Sequence, residues 1–292
     1  MSTGAGVGPV EAPSRVVDAH QHLWDPARRD YAWMDGSTAA INVAFGVREL
    51  EAALAPTPVT ATIVVQAVPD AAETRELLAV SAGAGPVEGV VGWADLTSPE
   101  LGDELALLAE RPGRLVGIRH QVQAEADPDW LLRDEVVRGL AAVAEAGLAV
   151  DLLVDERQWP AALALAEMLP GLPLVLDHLG NPPAGPAGRE RWRSWLARLA
   201  RRQNVSCKVS GLLTQLRDAS PDVAASYAVE ALEVFGPQRS MFGSDWPVCL
   251  LAGDYAGGYG VADAAARGLS PDERAAFLAG TADRVYGLGE RR

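Results

Sequence analysis

Apolar residues along this chain fall into two alternating patterns. Short strand-like runs occupy positions 15–20, 61–67, 87–96, 115–121, 148–154, 174–178, 204–210 and 240–245. Between them lie longer segments with helical spacing, at 71–81, 99–110, 130–146, 157–169, 189–202 and 222–235. Breakers such as Gly83-Ala84-Gly85-Pro86, Arg111-Pro112-Gly113, Pro170-Gly171 and Gly236-Pro237 separate the two kinds. Strands that alternate with helices imply βαβ units and a parallel sheet. Eight such strands in 292 residues predict an α/β fold of one domain, a closed (β/α)8 TIM barrel spanning 15–292. An open doubly wound sheet is the alternative, but no glycine-rich nucleotide fingerprint follows the first strand. The Gly-rich stretch 252–260 reads as a loop, and 262–286 as terminal helices closing the barrel. Residues 1–14, rich in Gly, Pro and Ala, read as a flexible N-terminal tail rather than a signal or transit peptide.

Composition narrows the partners. Apolar residues make up 49% of the chain, enough for a large core. The net charge of -14 repels nucleic acid and anionic membranes, so neither is an expected partner. A local arginine cluster can still hold an anionic small molecule. No run of 18 uninterrupted apolar residues predicts a membrane span. Two cysteines, Cys207 and Cys249, suit reduced thiols and a cytoplasmic setting. Oligomeric state is left open.

Candidate chemistry collects at strand ends, where a barrel of this kind keeps its catalytic groups. The first run, Val16-Val17-Asp18-Ala19-His20-Gln21-His22, ends in two histidines one residue apart. Side chains at i and i+2 of a strand share one face, so His20 and His22 project together. The chain has only four histidines, and the others, His120 and His178, also fall at predicted strand ends. The remaining ends supply Gln66, Trp93 and Asp95, Arg119, Asp151 and Asp155, Asp177, Lys208, and Asp245 with Trp246. Asp95, Asp151 and Asp155 read as helix caps or structural acids, and Gln66 reads equally as structure or site. Lys208 is expected to point into the barrel. Trp24, Trp93 and Trp246 are expected as pocket walls.

Three of these stretches carry a resemblance: His20-Gln21-His22, Asp177-His178-Leu179-Gly180 and Gly243-Ser244-Asp245-Trp246-Pro247. Together they resemble the amidohydrolase superfamily, and within it the sugar-lactone lactonase branch, whose members resemble L-fuconolactonase and L-rhamnonolactonase. The resemblance implies hydrolysis of a sugar-acid lactone of the L-fucono-, L-rhamnono- or galactono-lactone class. Asp245 would activate water, while His178, His20 and His22 polarise the carbonyl. Trp24, Arg119, His120, Lys208 and Trp246 would bind the substrate. Two-metal members resembling this family use a carboxylated lysine at the fourth strand and a histidine at the fifth. Here those strands offer Arg119, His120 and Asp151, so no dinuclear site is expected. Either one Zn²⁺ sits on His20, His22, His178 and Asp245, or no metal is required. A mononuclear zinc decarboxylase of the same superfamily and a non-catalytic sugar-acid binding barrel are the alternative readings.

Overall fold

The computed structural model describes residues 15–216 and 220–289. The expected tail at 1–14 lies outside the described residues, as does 290–292. Eight parallel strands follow one another around the sheet in chain order: β1 Val17–Gln21, β2 Ala61–Val65, β3 Val87–Gly92, β4 Leu115–His120, β5 Ala149–Leu152, β6 Leu174–Leu176, β7 Val205–Val209 and β8 Ser240–Phe242. The ring closes where β8 runs on beside β1. Asp245 donates its N–H to the His20 carbonyl at 2.8 Å, and His22 donates to the Trp246 carbonyl at 2.7 Å. The structure is a single-domain (β/α)8 barrel, as the alternation predicts.

The surrounding α-helices are α1 Val47–Leu54, α2 Ala71–Ser81, α3 Leu101–Ala109, α4 Asp134–Glu145, α5 Trp159–Met168, α6 Pro186–Leu199, α7 Leu212–Gln215, α8 Pro221–Phe235, α9 Tyr255–Ala265, α10 Pro271–Ala275 and α11 Thr281–Val285. Helix α9 corrects the expected loop at 252–260. Gly257, Gly258 and Gly260 lower its intrinsic propensity, but tertiary packing prevails. Asp254 caps the helix through the Gly257 N–H at 2.7 Å. Gly258 sits against the β8–β1 seam, where a Cβ would stand in contact with the Ser244 carbonyl at 3.4 Å.

The core has three parts. The main cluster fills the space between strands and helices. A second, with Val17, Ala19, Ile63, Val65, Val91, Val175 and Met241, fills the lower barrel and is closed from below by Ala282, Tyr286 and Leu288. A third, around Trp24, Tyr31, Ile41 and Ala67, pins the long loop after β1. Each fully buried side chain of this size contributes about 1.5–3 kcal/mol. Among the described residues, no helix is long and apolar enough to cross a membrane.

Candidate active site

The first strand delivers its histidines through a bulge. Asp18 pairs with Thr62, yet the next registered pair is Gln21 with Val64, so β1 holds one extra residue. Val17 and Ala19 face the lower core, and the extra residue turns His20 and His22 inward as well. Asp18 is turned outward and braces the seam. Its carboxylate accepts from the Ser244 N–H at 2.9 Å, the Ser244 hydroxyl at 2.6 Å and the Tyr255 hydroxyl at 2.7 Å. Burial pushes this carboxyl up to about 6. Gly243 permits the approach of the two strands, since a Cβ there would lie 2.7 Å from the His20 Cβ.

The ring tautomers follow from the partners. His22 Nδ1 lies 2.7 Å from the Val65 carbonyl, which only accepts, so Nδ1 carries the proton and Nε2 a lone pair. His20 Nδ1 lies 3.1 Å from Asp177 Oδ1, which leaves its Nε2 unprotonated too. The two Nε2 atoms are 3.2 Å apart. Burial draws His22 below the usual 6.5 and His20 well below it, so a shared proton does not relieve the opposed lone pairs. The donor set therefore fits a cation. Arg119 Nη1, 3.3 Å from His20 Nε2, competes for the same lone pair.

His178 and Asp245 stand on left-handed backbone. His178, Leu179, Gly180 and Asn181 follow one another at φ 50, 54, 74 and 55°, and Asp245 is at 58°. Apart from Gly180, such residues cost about 1–3 kcal/mol each and persist only where neighbours enforce them. Here Trp192 donates to the Leu179 carbonyl and Trp159 to the Gly180 carbonyl, both at 2.8 Å. His178 Nδ1 meets the Ser210 hydroxyl at 2.9 Å. Gly211, at φ 66°, fits beneath because a Cβ there would come within 2.7 Å of His178 Nδ1 and 3.2 Å of Asp245 Oδ2. Asp245 Oδ1 then lies 3.5 Å from His22 Nε2, 3.7 Å from His20 Nε2 and 3.9 Å from His178 Nε2. The ligand atoms of His20, His178 and Asp245 all lie within 4.8 Å of one another, close enough to share a metal ion.

One layer deeper, the barrel is filled by a balanced ion cluster. Lys208 Nζ bonds Asp151 and lies 3.1 Å from Asp177 Oδ1 and 3.2 Å from His20 Nδ1. Arg119 Nη1 meets Asp177 Oδ2 at 3.0 Å, and Nη2 donates to the Gln66 carbonyl. Gln66 answers by donating to the Arg119 carbonyl at 3.2 Å. The Tyr286 hydroxyl donates to Asp151 at 2.7 Å. Burial alone would raise the Asp177 carboxyl, but Lys208, His20 and Arg119 hold it well below the usual range. Burial raises Asp151 to about 6 against the pull of Lys208. His20, Asp151 and Asp177 could also ligate an ion, but the Lys208 ammonium already stands among them and bonds both carboxylates.

The structure thus brings His20, His22, His178 and Asp245 together. Arg119 and Lys208, expected at the substrate, lie beneath them at 2% and 0% exposure. Trp24 and Trp246, expected as walls, are packed behind His22 at 4% and 2% exposure, each edge-on to Phe45. Trp24 also spends its N–H on the carbonyls of Ile41 and Val43. His120 stands apart from the cluster. It stacks on Trp130, accepts from Trp93 Nε1 at 3.2 Å and meets Glu125 at 2.8 Å. Asp95 and Asp155 cap local turns through the N–H groups of Thr97 and Arg157. Sequence reasoning assigned no role to Ser210, Asp177 or Tyr286. The first two could have been found as polar residues at strand ends, but nothing local marks Tyr286.

Comparison with known proteins agrees with this arrangement. The profile described as amidohydrolase matches residues 17–288. An L-fucono-1,5-lactonase of Burkholderia ambifaria is 39% identical over 277 residues, covering 92% of this chain and 94% of that one. A second L-fucono-1,5-lactonase, from Burkholderia multivorans, is 37% identical and covers 94% and 96%. An amidohydrolase from Burkholderia multivorans, crystallised with bound zinc, superposes with a TM-score of 0.89 at 36% identity over 94% of this chain and 99% of that one.

Proposed function

This chain belongs to the amidohydrolase family, and from that premise we propose that it hydrolyses a sugar-acid lactone of the L-fucono-1,5-lactone class. The observation that carries the reading is a single carboxylate oxygen, Asp245 Oδ1, set 3.5–3.9 Å from three imidazole nitrogens. The two curated lactonases support the substrate class.

Ring opening needs a base for water, a group to polarise the ester carbonyl and a proton for the departing ring oxygen. Asp245 takes a proton as water adds to the carbonyl carbon, a step in which a positioned base contributes typically 10²- to 10⁴-fold. The carbonyl oxygen gathers negative charge. The ring C–O bond then breaks, and His178 protonates the leaving oxygen. The proton on Asp245 passes to His178, whose Nε2 is 3.9 Å away. The product is an open-chain hydroxy acid, which ionises in solution. His178 suits the shuttle because its Nδ1 partner is a hydroxyl, Ser210, which donates or accepts. His20 and His22 face obligate acceptors at Nδ1 and keep their Nε2 lone pairs. Arg119, Asp177 and Lys208 act through His20 as positioning residues.

One divalent ion, with His20, His22 and Asp245 as its holders and His178 Nε2 kept free to carry the proton, is the cofactor we propose. When bound it supplies a Lewis acid for the carbonyl and lowers the pKa of water. The Lys208 ammonium in the neighbouring ligand set supports a single ion rather than two. The buried free thiols of Cys207 and Cys249 support a cytoplasmic setting.

The test is a panel of sugar-acid lactones followed with a pH indicator, with spontaneous hydrolysis subtracted. L-fucono-1,5-lactone and its stereochemical neighbours should be opened fastest. A panel in which no lactone opens above the spontaneous rate would overturn the assignment.

A further inference from the structure

The end of the barrel opposite the histidines holds a second concavity. It measures about 570 Å³ and lies between the starts of β6, β7 and β8. Its wall includes Arg239 and Arg284, with Gln203, Gln238 and Ser206 beside them, and contains no aspartate or glutamate. Arg239 donates to the carbonyls of Arg202 and Val205 at 3.1 and 3.3 Å and lies 5.4 Å over the Phe235 ring. Arg284 donates to the Gln238 carbonyl. Among the described residues, these bonds all end on neutral carbonyl oxygens. The nearby acids are committed elsewhere: Asp283 holds Arg15 at 2.9 Å, and Glu167 holds Arg202 at 2.6 Å.

This arrangement runs against the composition of the chain. Asp and Glu number 39 against 25 Lys and Arg, so carboxylate partners are in excess. Two arginines that share one concave surface and, among the described residues, lack such a partner carry positive charge that the wall does not compensate. Burial accordingly draws the Arg239 guanidinium below its usual range. Guanidinium groups match phosphate and carboxylate oxygens in paired, directional hydrogen bonds.

We propose that this concavity binds a small oxyanion, a phosphate or a carboxylate, between Arg239 and Arg284. The site faces away from Asp245 and is independent of the lactone reading. Its ligand must be small, because 570 Å³ is the size of an ordinary small-molecule cleft.

Isothermal titration of the full chain with inorganic phosphate and, separately, with sodium gluconate tests the proposal at constant ionic strength. At least one anion should bind with one site that the double variant Arg239→Gln/Arg284→Gln weakens at least tenfold. The anion with the larger loss identifies the source of the oxyanion. Lactone hydrolysis should stay within twofold of the unaltered protein. If Arg239→Gln does not fold, Arg284→Gln alone, at an exposed position, should weaken binding at least threefold. Saturable binding of neither anion, or equal binding by the folded variants and the unaltered chain, overturns the proposal.

Discussion

Two polar layers lie one above the other inside this barrel, and they differ in how their charges are matched. The upper layer sets one carboxylate, Asp245, among three imidazoles, and no lysine or arginine of the described residues forms an ion pair with it. The lower sets two carboxylates, Asp151 and Asp177, against two cations, Lys208 and Arg119, and is closed to solvent. Burying matched ions yields little net stability, while removing one member is costly. An unmatched group near the mouth is instead free to react. The strand end alone therefore does not separate scaffold from chemistry; depth and charge balance do.

The contrast is sharpest at Asp245 and Lys208. Asp245→Asn should reduce lactone hydrolysis by about 1,000-fold, while the urea midpoint barely moves. A variant that retains hydrolysis within tenfold would break the assignment of the upper layer. Lys208→Met should do the reverse. It leaves Asp151 and Asp177 facing each other in a dry interior, at about 3–5 kcal/mol of stability by urea denaturation. A Lys208→Met protein as stable as the parent would show that the lower layer is no scaffold.

Glu73 extends the contrast to a carboxylate buried without a cation beside it. Its Oε2 accepts from the Ala67 and Val68 N–H groups at 2.9 and 3.1 Å, while Oε1 has no hydrogen-bond partner among the described residues. Burial raises it from 4.5 to about 7. The folded protein thus holds this proton more tightly than the unfolded chain. That contribution is complete below pH 4.5 and is lost as pH rises through 7. Neutral Glu73→Gln escapes the loss, so its stability relative to the parent should grow by roughly 2–3 kcal/mol between pH 5 and 8, measured by urea melts across pH. A pH-independent difference would refute the assignment.

Metal removal probes the upper layer alone. Prolonged chelation should cut hydrolysis at least roughly tenfold, and one equivalent of zinc should restore it, with elemental analysis counting the ion. Full activity in metal-free protein would mean that hydrogen bonds suffice. His120→Ala is the mildest change. Because His120 is bound up with Trp93, Trp130 and Glu125, kcat/KM should fall by less than about threefold.

Much of this was legible in the chain. Alternating apolar periods located all eight strands, since each carries apolar residues buried against the barrel or the helices, with its polar groups turned to the interior or gathered at its end. Spacing put His20 and His22 on one face, and strand-end placement nominated His178 and Asp245. The depth of Arg119 and Lys208 was hidden, because a strand-end cation reads the same whether it faces a ligand or a buried carboxylate. Only the partners Asp151 and Asp177, far away in sequence, distinguish the two. The left-handed turn at His178 was equally hidden. Gly180 and Asn181 tolerate positive φ, but nothing local extends it to His178 and Leu179, and the enforcing groups, Trp159 and Trp192, come from other elements. Trp24 and Trp246 mark the limit of the strand-end rule, since both lie beyond their strands and pack into core, Trp24 in the loop-pinning cluster and Trp246 in the main one.

The brace at Asp18 has a consequence for biosynthesis. Its partners Ser244 and Tyr255 emerge from the ribosome more than two hundred positions later, and Tyr286, which steadies Asp151, later still. A nascent chain therefore carries its paired imidazoles through nearly the whole of translation with nothing to close against. Premature termination before β8 yields an open, sticky sheet rather than a weakened enzyme.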